Sequence, residues 1–260
     1  MGGDSMCVNR YPQFKSEKEA RLGRWAREYF YEKLTAQGFI SYQDKGLSWY
    51  KLVNNSLIQT VYLYSDSGSS FMNASVGYSC HPLFIPAPLP QKLTITGTWR
   101  DSVLMKSVSL PYPRFFDMDS RLIYTHSAHG GAEVLDAVVF PGLEPLCTIE
   151  DTYEMHRQQI KQKIDRHLAN KSWADYNGMV ACREFMDLLI YMDDQEMLPY
   201  VDRDLSPSFC RTETERKWVD LQRAAVKNGE RNEFLKMLNK RRTQFVAKLE
   251  SKLGIIVRPD

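Results

Sequence analysis

The stretch THSAHGGAE holds two histidines and a glutamate within a few residues of one another. Imidazole and carboxylate groups are ligands that suit zinc or iron, so His126, His129 and Glu133 form a candidate metal site for a metal-assisted hydrolase. The competing interpretation is a turn, in which Gly130 and Gly131 supply the positive φ angles of a tight loop. The stretch does not have the His-Glu-x-x-His spacing of a zincin helix. We therefore favour the turn and expect no cofactor.

The turn interpretation makes a prediction about the segments on either side of these histidines. LIYTH precedes the loop and EVLDAVVF follows it. Both segments are short and rich in apolar, β-branched residues, a composition typical of strands. The sequence therefore predicts a hairpin whose second strand covers residues 133–140.

Acidic side chains are concentrated in YMDDQEM, where Asp193, Asp194 and Glu196 could bind a divalent cation. The spacing is not that of an EF-hand loop. An aspartate at a helix junction also serves well as the N-cap of the next helix, and this is the interpretation we favour. Just upstream, Arg183 and Asp187 are four residues apart in an apolar helix, which predicts an internal ion pair.

Basic residues dominate residues 211–252, which contain twelve lysines and arginines against six acidic residues. The densest point is Lys240, Arg241 and Arg242. Basic helices can follow a phosphate backbone, so a weak nucleic-acid binder is one alternative function. Because acidic residues are interleaved and no known nucleic-acid motif accompanies them, we favour a solvated helix face and expect no nucleic-acid partner.

Four tyrosines fall on the predicted strands and could line one face of a sheet, where their rings would stack on bases or a ligand. Rings at such positions also pack beneath a helix, and we favour that interpretation. Side chains alternate along a strand, so Trp49 and Val61 should share one face. The candidate binding tyrosines are Tyr50, Tyr62, Tyr64 and Tyr78.

The secondary structure predicted around these residues falls into two parts. Residues 16–36 form a predicted helix that ends near Gly38, and four short β-like segments joined by tight turns follow it. CHPLFIPAPLPQ then predicts an extended polyproline segment, either an exposed connection or a clasp across the domain surface. Further β-like segments lead to a helical C-terminal region, in which Thr148 and Asp151 form a capping box. The fold class is α+β: an N-terminal helix on an antiparallel β-meander, extended by further strands and followed by helices.

Composition limits the function classes. The chain has 260 residues and a formal charge of +2, so its charge alone does not mark a nucleic-acid or membrane binder. Five widely spaced cysteines without a CxxC pair predict thiols in a reducing compartment. No run of residues approaches the ~18 apolar residues of a membrane span. We expect a cytoplasmic protein with no membrane partner.

The order of motifs in residues 16–80 resembles a family of bacterial domains of unknown function. In this sequence a helix closes at Gly38-Phe39, Trp49-Tyr50 begins a hairpin, and the second strand follows NNSLI. The resemblance covers under a third of the chain. It implies an α+β fold of bacterial origin, and it brings no catalytic residue with it.

The sequence predicts two domains, an α+β domain over residues 1–147 and a helical region over residues 148–260. No nucleotide-binding loop and no nucleophile elbow occurs in the chain. We therefore expect a non-enzymatic protein that binds a protein partner. The metal-assisted hydrolase and the weak nucleic-acid binder are the alternatives.

Overall fold

A computed structural model describes residues 30–41, 48–65, 74–85, 105–109, 133–170, 182–198 and 213–258. The chain is an α+β protein, in which a helix precedes an antiparallel sheet and further helices follow it. The first elements are helix α1 (Tyr31–Ala36) and strands β1 (Ile40–Ser41), β2 (Ser48–Val53), β3 (Leu57–Ser65), β4 (Ala74–Pro82) and β5 (Met105–Ser109). They are followed by a π-helix (Leu135–Val139) and helices α2 (Phe140–Leu143), α3 (Ile149–Asn170), α4 (Cys182–Met192), α5 (Glu213–Lys227) and α6 (Arg231–Leu253).

Two compact units divide the chain, and each is built from separate stretches of sequence. The first holds α1, nearly all of the sheet, the π-helix with α2, and the chain from Leu249 onward. The second holds residues 81–85, α3, α4, α5 and most of α6. The predicted domain boundary after residue 147 stays a prediction.

The sheet is a meander whose spatial order follows the chain from β1 to β5. β2 pairs antiparallel with both β1 and β3. The turn between β2 and β3 contains Asn54 and Asn55, with φ angles of 47° and 54°. Asparagine tolerates this left-handed region better than most residues. Trp49 lies opposite Val61, and Tyr50 opposite Thr60, so the predicted division of these side chains between the two faces is confirmed.

One face of the sheet packs against helices of the same unit. The Phe30 ring, beside the first residue of α1, stacks on Trp49 with centroids 6.2 Å apart. On the same face, the Gln59 amide donates a hydrogen bond to the Leu143 carbonyl at the end of α2. An ion pair between Lys33 and Asp136 joins α1 to the π-helix. The π-helix with α2, together with α1, therefore covers the Trp49 face.

The segment EVLDAVVF is helical, so the predicted second strand at residues 133–140 is wrong. Its apolar residues allow either interpretation over so short a run, because periodicity alone does not separate a buried strand from a buried helix. The burial decides it. Leu135, Val139 and Leu143 are buried and four residues apart, which is the spacing of one helix face.

Two further expectations differ from the structure. β5 was not predicted, because MKSVS is short and only weakly apolar. The start of the proline segment is not an exposed connection: β4 continues to Pro82, and Leu83, Phe84 and Ile85 are at most 5% exposed. Phe84 stacks on Tyr191 of α4 with centroids 4.6 Å apart. The Ile85 amide donates to the Pro82 carbonyl at 2.9 Å, so the chain turns after β4 and buries these apolar side chains.

Helix α4 forms the centre of the second unit. All six of its residues from 185 to 190 are at most 4% exposed. Six consecutive helical residues point in every direction around the axis, so α4 is enclosed by protein, as its apolar sequence predicted. Helices α5 and α6 contribute to the same core through Val219, Ala225, Phe234 and Leu238.

Helix ends follow the local sequence closely. At the start of α3, the Asp151 amide donates to Thr148 Oγ1 at 3.0 Å and the Thr148 amide donates to Asp151 Oδ2 at 2.9 Å, which confirms the predicted capping box. Gly38 takes φ +81° after α1, and the Phe39 amide donates to the Leu34 carbonyl. These are the bonds of a Schellman motif, and they confirm the predicted end of the first helix.

Candidate functional site

Of the predicted metal ligands, only Glu133 lies within the described residues. It is exposed and occupies the helical turn before the π-helix. His126 and His129 fall outside the described ranges, so the predicted metal site stays a prediction. Within the part of the chain that the structure describes, no three histidine, cysteine, aspartate or glutamate side chains are grouped to hold a metal ion.

The candidate binding tyrosines serve the core where the structure describes them. Tyr50 and Tyr78 are 3% and 5% exposed, which confirms the packing interpretation for these two. A Cβ atom on Gly142 would lie 2.8 Å from Tyr78, so the helix α2 backbone lies directly against that ring. Tyr78 therefore lies on the Trp49 face, and the prediction that the four tyrosines share one face is wrong for Tyr78. Burial raises the pKa of Tyr78. The Tyr64 side chain lies outside the described residues.

Tyr62 is half-buried and its ring covers Gly77 of the adjacent strand β4. A side chain on Gly77 would collide with that ring. On the same face, Thr60 and Ser79 share a hydrogen bond, and both are buried. This face of the sheet is therefore a packed polar and aromatic layer rather than an open stacking platform.

The three basic residues of the predicted patch are not equivalent. Lys240 is exposed and Arg242 is half-buried. Arg241 turns inward: its guanidinium lies 3.1 Å from the centroid of the Trp218 ring and donates to Asp187 Oδ2 at 3.1 Å. The predicted solvated face is therefore wrong for Arg241. A planar guanidinium combines stacking with hydrogen bonding, so it can serve a helix interface.

Asp187 is the acceptor at the centre of this network and is only 4% exposed. Besides Arg241, the Trp218 indole donates to it at 2.8 Å and the Gln222 amide at 2.6 Å. These donors come from α5 and α6, so one carboxylate of α4 links both helices to the core. Burial lowers the pKa of Arg241, and the attraction of Asp187 opposes that change. The predicted partner Arg183 has a side chain outside the described residues.

The acidic stretch after α4 forms a second internal network. Asp193, at φ 59°, ends the helix. Asp194 accepts hydrogen bonds from the amides of Glu196 and Met197 at 3.0 and 3.1 Å, which is the hydrogen-bond pattern of the predicted N-cap. The Tyr153 hydroxyl also donates to Asp194.

Arg157 completes this network by joining α3 to the same loop. Its Nε donates to Asp194 at 2.7 Å and its Nη2 to Glu196 at 2.6 Å. Burial raises the pKa of Asp194, but the hydrogen bonds from Tyr153 and Arg157 outweigh it and hold that pKa below its ordinary value. Burial and the neighbouring carboxylate raise the pKa of Tyr153. A tyrosine with a raised pKa is a poor nucleophile, so this arrangement suits structure better than chemistry.

An exposed apolar side chain that was not among the predicted site residues follows α6. Gly254, at φ 65°, ends the helix, and residues 254–258 form what we call the exit segment. Within it, Ile255 and Val257 are buried at 5% and 8% exposure, whereas Ile256 between them is 74% exposed. The signal was present in the sequence as an apolar run after a helix-ending glycine.

No protein-family model matches the chain, and no curated protein and no solved structure matches it either. The resemblance of residues 16–80 to bacterial domains of unknown function stays a prediction.

None of the helices in the described ranges combines the length and the apolar character that crossing a bilayer requires.

Proposed function

We propose that this chain is a non-enzymatic binding protein that engages a protein partner through the exit segment. The observation that carries the proposal is Ile256, which is 74% exposed between two buried neighbours. Alternating burial means that the segment is anchored on one side and presents its other side to solvent. Ile256 is thereby held in place before a partner arrives, which limits the ordering cost of binding.

The hydrogen bonding of Asp187 and Asp194 supports a binding role over a catalytic one. Asp187 accepts bonds from three side chains, and Asp194 accepts from Tyr153, Arg157 and two amides. The Asp194 carboxylate is thereby stabilised in its charged form. It is a weak base for proton abstraction, because general base catalysis favours a pKa near the working pH.

Ile256 has the properties of an anchor residue. Fully burying an isoleucine side chain contributes about 1.5–3 kcal/mol, which corresponds to roughly tenfold or more in affinity. We infer that the partner offers an apolar pocket to this side chain. The proposed setting is the bacterial cytoplasm, supported by the odd number of widely spaced cysteines and by the resemblance of residues 16–80.

The proposal is tested by capture on the immobilised chain, followed by quantitative mass spectrometry of the proteins retained from a bacterial extract. Ile256→Asp should abolish retention of the partner, because it places a charge in an apolar pocket. Ile256→Val should keep it. Ile40→Asp is the matched control, since Ile40 is an exposed isoleucine on the sheet edge. Equal retention by wild type and Ile256→Asp would contradict the proposal.

A further inference from the structure

The outward face of α6 has charge of a single sign over most of its length. Between Glu233 and Glu250 the helix contains no acidic residue. Lys236, Lys240 and Lys248 are all exposed in this interval. They fall on one row of positions four residues apart, with Gln244 completing it, so neighbouring positions are about 6 Å apart along the axis. We call this row and its exposed neighbours the α6 face.

The inward position of Arg241 distinguishes it from the exposed lysines of the α6 face. Asp187 neutralises Arg241 on the inner side of α6. Lys236 contacts Glu233 at 2.6 Å, but both side chains are more than 60% exposed, and an ion pair of that kind contributes little. The side chains of Lys236, Lys240 and Lys248 are exposed, so a ligand in solvent can reach them.

The remaining residues of the α6 face indicate what kind of partner fits it. Asn239, Thr243 and Gln244 are exposed beside the lysines, and the largest exposed apolar side chain there is that of Ala247. Protein interfaces are depleted in lysine and rely on large buried anchors at their centres. Contacts to a nucleic-acid backbone come from lysines together with asparagine, glutamine and threonine side chains.

We infer that the α6 face binds the phosphate backbone of nucleic acid without reading its sequence. Lys236, Lys240 and Lys248 contact phosphates, and the amide and hydroxyl groups between them donate hydrogen bonds to phosphate oxygens. This site is separate from the exit segment and goes beyond the proposed function, because it concerns a different partner and different residues. Either proposal can fail without the other.

The test is binding of the full chain to a fluorescent duplex DNA, measured by anisotropy over a range of salt concentrations. Three phosphate contacts predict a slope of log K against log salt of about −2.7, so affinity should fall roughly 40-fold between about 50 and about 200 mM salt. Replacing Lys236, Lys240 and Lys248 by alanine together should remove most of that slope and weaken binding at least tenfold at low salt.

A second triple variant distinguishes the effect of the α6 face on DNA binding from the effect of net charge. Lys161, Lys217 and Lys227 are exposed on other helices, and their replacement by alanine removes the same charge. This control should bind DNA nearly as well as wild type. Equal loss in both variants would overturn the inference. An unchanged slope after the first replacement would also overturn it. So would a competition experiment in which, at equal charge, DNA displaces bound polyglutamate from the chain less effectively than free polyglutamate does. Matching thermal unfolding of all three chains shows that each variant is folded.

Discussion

At the scale of single residues, Asp187 determines how the C-terminal helices attach to the core. Three donors from two helices converge on one buried carboxylate. The desolvation of that charge is offset only while the donors remain in place. Asp187 and Arg241 are therefore parts of one unit, although 54 positions separate them in sequence.

Removing the carboxylate should be costly. Asp187→Ala leaves the Arg241 charge and the Trp218 indole without their acceptor, and we expect a loss of about 3–5 kcal/mol in the free energy of unfolding. Urea denaturation measures it. Asp220→Ala, an exposed position on α5, is the control and should change stability by under ~0.5 kcal/mol. A loss below ~1 kcal/mol for Asp187→Ala would show that the network is not structural.

A second residue-scale prediction concerns the buried histidine at the end of β4. Burial lowers the pKa of His81 to about 4 from 6.5. The unfolded chain binds this proton more readily than the folded chain, so the contribution is complete above pH 6.5 and is lost as pH falls towards 4. The shift corresponds to about 3 kcal/mol.

The measurement is the difference in unfolding free energy between wild type and His81→Gln, followed from pH 7 to pH 4. The wild-type chain should lose about 3 kcal/mol more than the variant over this interval, because other titrating groups cancel in the difference. Parallel curves for the two chains would contradict the buried, neutral state of His81.

At the scale of elements, the sheet depends on one close approach between neighbouring strands. The Tyr62 ring of β3 occupies the space that a side chain on Gly77 of β4 would need. Glycine in a strand interior often marks such an approach, and an aromatic ring over it restores the packing that the missing side chain would supply.

A double-mutant cycle tests this contact. Gly77→Ala should cost about 1–3 kcal/mol by overpacking, and Tyr62→Ala several kcal/mol, up to the ~3–5 of large aromatic truncations in cores. The double variant should be more stable than the sum of the two losses implies, because alanine at 77 can occupy space that the ring vacates. Strict additivity in urea denaturation would show that the two positions are not in contact.

The elements predictable from sequence are those specified by local chemistry. The Thr148–Asp151 capping box, the helix end at Gly38 and the register of β2 with β3 depend on residues within a few positions of one another. The helical state of residues 133–140 depends instead on packing against the sheet. The inward position of Arg241 could not be predicted from neighbouring residues either, because its partners Trp218 and Asp187 are distant in sequence.

At the scale of the whole molecule, the two proposed surfaces belong to different compact units. The exit segment lies in the first unit and the α6 face in the second. Their chemistry also differs, since one presents a single apolar anchor and the other a row of lysines. We therefore expect Ile256→Asp to leave the salt dependence of DNA binding unchanged, as measured by anisotropy. The variant with alanine at Lys236, Lys240 and Lys248 should in turn retain the captured protein.

Site-specific photocrosslinking from position 256 shows whether a partner contacts the exit segment. A photoreactive phenylalanine analogue in place of Ile256 should give one discrete crosslinked protein in living cells, because the partner pocket encloses that side chain. The same group in place of Thr243, an exposed residue of α6, should not give that product. Absence of a discrete product from position 256, or the same products from both positions, would contradict a partner-binding exit segment.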